Sequence, residues 1–144
     1  MILIKDFEEK YIDDVWEIEK TCFSSPWSRE DLSAQLENET SHFYVAVCDG
    51  KVSGYMGLQI FSKEGYVTNV AVLPQFRRKG VAKALLERAM QNEMDFITLE
   101  VRKSNSPAIS LYKNAGFIDV GIRPHFYSNP NEDAVIMTRF KEKI

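Results

Sequence analysis

Cysteine is scarce in this 144-residue chain, and the two that occur, Cys22 and Cys48, stand too far apart to form a CxxC pair. The two histidines, His42 and His125, are also widely separated, so no zinc-ligand spacing exists and no metal is expected. No apolar run reaches the roughly 18 residues of a membrane span, and the N-terminus lacks a secretory leader pattern. A reduced, cytoplasmic chain with no membrane association is the expectation. Positive charge is not in excess: 18 Lys and Arg face 21 Asp and Glu, for a net charge of −3. That balance argues against a dedicated nucleic-acid binder. Repeats, low-complexity tracts and linkers are missing too, so residues 1–144 are expected to form one domain.

What is present is a 44% apolar content, enough to build a core. "ILIKDF" reads as a first strand. From about Lys10 to Phe23, Ile12, Val15, Trp16, Ile18 and Phe23 recur at mostly helical spacing. After "SSPW", Ser28 with Asp31 three residues on predicts a capped short helix holding Leu32 and Leu36. "HFYVAVC" and "KVSGYMGLQIF" read as strands joined by an Asp49-Gly50 hairpin turn. "EGYVTNVAVL" is a third run, closed by Pro74. A helix opening at Gly80 places Val81, Leu85 and Ala89 on one stripe.

In "DFITLEVR", Ile97, Leu99 and Val101 alternate with Phe96, Thr98, Glu100 and Arg102. "SNSPAISLYKNAGF" predicts a helix with Ser106 as N-cap, Pro107 at its first position and Gly116 past its end. "FIDVGIR" and "DAVIMTRF" read as final strands. The fold expectation is α/β. Its sheet is mixed and mostly antiparallel, with one right-handed parallel crossover around the Gly80 helix and helices on both faces.

Three cations, Arg77, Arg78 and Lys79, crowd the start of the Gly80 helix. Cations are unfavourable at a helix N-terminus unless an anion comes to it. A Walker loop would need a second glycine and a Lys-Ser/Thr pair, and a dinucleotide fingerprint would need two more glycines. Neither fits. A solvated basic turn and a pyrophosphate cradle both remain open on charge alone; strand-turn-helix context favours the cradle.

"VAVLPQFRRKGVAKALL" resembles the coenzyme A motif of the GNAT acetyltransferases, with Arg77-Arg78-Lys79-Gly80-Val81-Ala82 at its core. "SNSPAISLYKNAGF" is similar to a second motif of that family. The resemblance is close from about Val52 onward. It implies acetyl-CoA as co-substrate, held where the two parallel strands part. Backbone groups of Val70, Ala71 and Val72 would hold the pantetheine arm and polarise the thioester. N–H groups from Arg78 through Lys79, Gly80, Val81 and Ala82 to Lys83 would take the pyrophosphate, with Arg77 neutralising charge nearby. Asn105 would bond the pantetheine region.

Acetyl transfer to an amine needs a neutral nucleophile and a proton for the departing thiolate. Glu100, mid-strand between apolar neighbours, is the candidate base, since burial would raise a carboxyl pKa. It could instead be a sheet-surface carboxylate paired with Arg102 or Lys103. Tyr112 is the candidate acid, or else a core aromatic with a polar tip. An acetyl-Cys22 intermediate is disfavoured, because no histidine stands beside it.

"CFSSPWS", "LEVRKSN", "GIRPHFY" and "NEDAVIM" together resemble the family's ribosomal-protein alanine N-acetyltransferases. The implied substrate is the N-terminal alanine of the eighteenth small-subunit ribosomal protein. The implied partner is that N-terminal peptide, met by a monomer without direct nucleic-acid contact. Pro26, Trp27 and Tyr127 would wall the peptide channel. Trp27 could equally be a core anchor. Glu132 and Asp133, with Glu100, would make the channel acidic. This chain carries Phe126-Tyr127 where such relatives often carry two tyrosines. The alternatives are a small-amine or antibiotic N-acetyltransferase and a non-catalytic acetyl-CoA-binding regulatory module.

Overall fold

Seven strands make one sheet, with helices on both faces, in the computed structural model, which describes residues 1–141. In chain order the elements are β1 (Ile2–Asp6), α1 (Ile12–Cys22), α2 (Arg29–Ala34), β2 (Ser41–Cys48), β3 (Lys51–Phe61) and β4 (Glu64–Val72), then α3 (Val81–Ala89), β5 (Phe96–Arg102), α4 (Ser106–Asn114), β6 (Ile118–Tyr127) and β7 (Glu132–Phe140). The sheet order is β1-β2-β3-β4-β5-β7-β6. Neighbours are antiparallel except β4 and β5, which are parallel around the α3 crossover. The expected mixed sheet is therefore the observed one.

Turn and cap chemistry act as the sequence predicts in most places. Asp49 and Gly50 both adopt positive φ, 50° and 80°, as a two-residue hairpin turn of the twist-matching kind requires. Ser28 and Asp31 form a reciprocal capping box on α2. One cap differs. Asn105, not Ser106, caps α4, its Oδ1 accepting from Ala108 N at 3.3 Å. The helix thus starts one residue earlier than expected, and Pro107 takes its second position, where an N–H would also lack a helical partner. Phe23 departs too: it ends α1 as the C-cap and stays 38% exposed rather than extending the apolar stripe.

Two cores fill the two faces. On one, Ile12, Val15 and Ile18 of α1 and Leu32 of α2 pack on Phe43, Val45, Tyr55 and Ala71. On the other, Val81, Leu85, Leu86 and Ala89 of α3 and Tyr112 of α4 pack on Met56, Leu58, Ile97, Leu99 and Val101. Leu85 is fully enclosed, so its truncation to Ala should cost about 2–5 kcal/mol.

The sheet opens at its centre. β4 and β5 pair only at Glu64↔Phe96, Gly65↔Ile97 and Tyr66↔Thr98. Where they pair, the Met94 sulfur occupies the place that a Cβ on Gly65 would take. Farther along, β4 carries a bulge against β3: Leu58 pairs with Val67 and Gly57 with Asn69, so Thr68 is extra. Gly57 makes this possible, since a Cβ there would lie 2.6 Å from Thr68 Oγ1 and 2.7 Å from the Phe43 ring. The extra residue bends and twists β4. From Val67 to Val72 it runs without β5 beside it, and Leu99–Arg102 of β5 pairs only with β7.

Candidate active site

An interior strand edge left unpaired exposes a row of N–H and C=O groups, a template for an extended ligand. The β4 edge of the opening carries Val70, Ala71 and Val72, named by the sequence. Ala71 turns into the α1 core, and Val70 and Val72 lie against the α3 core. The Val72 carbonyl already has partners: Arg77 Nε donates to it at 3.0 Å and Cys22 Sγ at 3.6 Å. Burial pushes the Cys22 thiol up, which suits a neutral S–H donor and not a nucleophile.

Below the opening, the chain turns sharply into α3. Arg78 and Gly80 take positive φ, 64° and 84°, so the turn needs a residue without Cβ strain at its last position. Gly80 offers no side-chain cap, and α3 begins with Val81, Ala82 and Lys83, whose N–H groups precede the first helical bond, Ala84 N to Gly80 O. No atom lies within 4 Å of the position a Gly80 Cβ would fill. Arg77, Arg78 and Lys79 are all exposed around it. The turn fits an anion: donors point outward, the approach is open, and cations surround it. Asn105 sits at the start of α4 with its Oδ1 engaged in the cap.

Glu100 stands on β5, on the sheet face that α1 and α2 cover, opposite to its buried neighbours Leu99 and Val101. It is not enclosed by apolar groups as its neighbours in sequence suggested. Its side chain is 32% exposed, and it pairs with Arg123 at 3.1 Å, not with Arg102 or Lys103. Arg102 is committed elsewhere, to Glu132 at 3.3 Å and over the Tyr127 ring at 4.5 Å. Glu132 Oε2 accepts from Ser104 N at 2.6 Å, and the Ser104 side chain first, with this backbone bond and Arg102 behind it, holds its carboxyl below the usual range. Glu132 thus braces the loop before α4. Asp133 alternates to the other face, and its Oδ1 accepts from His125 N at 2.9 Å. Glu100 and Glu132 share a face; Asp133 does not join them.

Tyr112 approaches from α4 on the opposite face and is 6% exposed. Burial first, then Tyr127, pushes its pKa up to about 12, so the hydroxyl stays protonated at any physiological pH. Tyr127 is pushed up to about 12 as well, by burial and by Glu100. Tyr127 therefore lies within electrostatic reach of both Glu100 and Tyr112. On the α1 side, Trp27 packs 6.1 Å from Phe43 and donates its backbone N–H to Glu19 at 2.8 Å, the geometry of a core anchor. Pro26 beside it is exposed.

Sequence reasoning passed over a buried polar chain here. Glu19 is 1% exposed, and its Oε2 accepts from the fully buried Tyr55 hydroxyl at 2.5 Å. Asn69, on the β4 wall, carries an Oδ1 that is buried without a partner among the described residues. Glu19 was detectable: an acid four residues after Val15 and seven after Ile12 falls inside the apolar stripe of α1. Among the described residues, no helix is long and apolar enough to cross a membrane.

Comparison with known proteins then identifies the architecture. The acetyltransferase (GNAT) family model matches residues 12–117. A Bacillus subtilis protein with the provisional name ribosomal protein bS18-alanine N-acetyltransferase is 37% identical over 139 residues, covering 93% of this chain and 92% of the relative. An N-alpha-acetyltransferase of Sulfurisphaera tokodaii is 35% identical over 143 residues, covering 88% and 85%. The crystal structure of the ribosomal-protein-S18-alanine N-acetyltransferase from Escherichia coli superposes with a TM-score of 0.90 at 29% identity, covering 100% of this chain and 96% of that one.

Proposed function

Because this chain belongs to the GNAT acetyltransferase family, we propose that it moves the acetyl group of acetyl-CoA onto the N-terminal α-amine of a protein. The most fitting substrate is the N-terminal alanine of the eighteenth small-subunit ribosomal protein, in line with what the Bacillus subtilis and Escherichia coli relatives are named for. The pantetheine arm lies along the free edge of β4 beside Val70, Ala71 and Val72. The pyrophosphate meets the N-terminus of α3, from Arg78 to Lys83, among the surrounding cations. Asn105 bounds the arm at the start of α4.

The observation that carries the reading is the parting of β4 from β5, with a carboxylate and a protonated phenol on opposite faces of the gap. An amine arriving on the Glu100 face loses its proton to that carboxylate, directly or through water. It attacks the thioester carbonyl in the gap. The thiolate leaves toward Tyr112, whose hydroxyl supplies the proton. An α-amine has an ordinary pKa of about 7.7–8.0, so a modest base suffices, whereas a lysine amine near 10.4 asks for more. Pro26, Trp27, Tyr127 and Glu132 border the peptide's approach, Glu132 chiefly by fixing the Ser104 loop, while Asp133 lies on the other face. Residues 1–144 work as one domain.

The test is thiol release from acetyl-CoA with an Ala-starting peptide, a polyamine and an aminoglycoside as acceptors. Turnover with the peptide alone supports the reading. Preference for either small amine overturns it, and no turnover with any acceptor leaves a binding module.

A further inference from the structure

The buried chain of Glu19, Tyr55 and Asn69 has no part in the steps above, yet it ends at the gap. Tyr55 of β3 and Asn69 of β4 share the α1 face, as the pairs Tyr55↔Ala71 and Gly57↔Asn69 require. Continuing the parallel register past Tyr66↔Thr98, with one residue absorbed by the bulge, sets Asn69 against Glu100 across the gap. The two side chains face the same side.

The polarity of the chain is set from its far end. Glu19 is an acceptor at both oxygens, taking Trp27 N and the Tyr55 hydroxyl. Tyr55 donates toward Glu19, so its oxygen is left to accept; burial and Glu19 push its pKa up, and the Asn69 carboxamide beside it works the other way. The Asn69 Oδ1 is buried with no partner among the described residues. Such an orphan destabilises a fold, and proteins keep few of them.

We propose that Asn69 is a substrate-contacting residue: its Oδ1 accepts an N–H of the incoming α-amine, with Tyr55 and Glu19 as positioning residues behind it. An amine held through one N–H by Asn69 and losing its proton toward Glu100 is gripped from both walls of the gap. Its lone pair is then directed at the thioester between them. The inference rests on the amine-acetylation reading and names the acceptor that reading lacks.

The experiment is steady-state kinetics of wild type, Asn69→Leu, Asn69→Ser and Tyr55→Phe, with the Ala-starting peptide and acetyl-CoA varied separately. Asn69→Leu keeps the size and removes the acceptor. Its peptide kcat/KM should fall at least tenfold while the acetyl-CoA KM stays within about twofold. Its melting temperature should not drop by more than about 2 °C, because the lost oxygen had no partner among the described residues. Asn69→Ser, should the Leu variant fold poorly, carries the same expectation with a smaller loss. Tyr55→Phe should show an intermediate loss on peptide alone. Unchanged peptide kinetics in a folded Asn69 variant overturn the proposal. A loss confined to acetyl-CoA also overturns it, since the acceptor would then serve the pantetheine amide. If wild type prefers another amine, the Ala-peptide reading falls, while the same comparison on that amine still decides Asn69.

Discussion

Arg123 Nη1 lies 3.1 Å from Glu100 Oε1, and its guanidinium rests 5.1 Å from the Phe126 ring centre. The contact reaches from the edge strand β6 across β7 to β5. It puts a cation where the proposed substrate's ammonium must arrive. Both side chains are partly exposed, so the pair is worth about 0.2–1 kcal/mol. Arg123→Ala should therefore lower the peptide KM by no more than about fivefold and strengthen its salt dependence, because Glu100 is then unneutralised. Measuring KM at low and high ionic strength checks this. A large rise in KM would mean that Arg123 holds the peptide instead of competing with it.

Gly80→Val tests the cradle. The φ of 84° is hostile to a β-branched residue, so some stability is lost. Space is not the obstacle within the chain, because nothing lies within 4 Å of the new Cβ. The methyls would instead occupy the anion's approach. CoA affinity, read by calorimetry on the folded variant, should fall at least tenfold, about 1.4 kcal/mol. Native affinity would remove the pyrophosphate from this turn.

Tyr112→Phe separates chemistry from packing. The ring still fills its place beside Phe117, 5.6 Å away, so the fold should persist. Loss of a general acid should lower kcat by about 10²–10⁴, with CoA affinity nearly unchanged. The raised pKa adds a second readout. Burial favours the protonated phenol in the folded chain, so stability is full below pH 10 and is lost as pH climbs through about 12. At about 1.4 kcal/mol per pKa unit, the loss approaches 3 kcal/mol. Denaturant unfolding at pH 9 and pH 11.5 should show a smaller decline in Tyr112→Phe than in wild type. Tyr55 and Tyr127, shifted in the same direction, supply the decline that persists. An equal decline would place the Tyr112 hydroxyl in solvent.

Local codes were legible in the sequence because they act over a few residues. The Asp49-Gly50 hairpin, the Ser28 capping box and the alternation of β5 all fold as read. The position of Asn105 was not, since Asn and Ser compete for the same cap and only the backbone decides between them. Pairings between distant strands were harder still. Arg123 reaches Glu100 because β6 and β5 flank β7, an order that no short-range pattern encodes. The nearer Arg102 and Lys103 were the natural guesses. Asn69 was hidden for a related reason: inside an apolar strand it looks like a tolerated polar residue until the bulge at Thr68 and the gap beside it are known.

Glu100→Gln joins base to substrate. The amide keeps the shape and removes the basicity. Near pH 7 an α-amine is mostly protonated, so the variant must wait for the rare neutral form, and activity on the Ala-starting peptide should drop about 10²-fold or more. Toward pH 9 the free amine loses its proton unaided, and the variant should recover in part. A misfolded site would gain nothing from that change, so the slope of recovery distinguishes a missing base from a broken fold. The same peptide with its α-amine blocked and one internal lysine left free should serve both enzymes poorly, because that amine is charged at every pH tested. Thiol release against pH, for both enzymes and both peptides, checks each step. Wild-type rates in Glu100→Gln at pH 7 would move the base elsewhere in the gap. Equal rates on the blocked peptide would remove the N-terminus from the reading and leave lysine acetylation in its place.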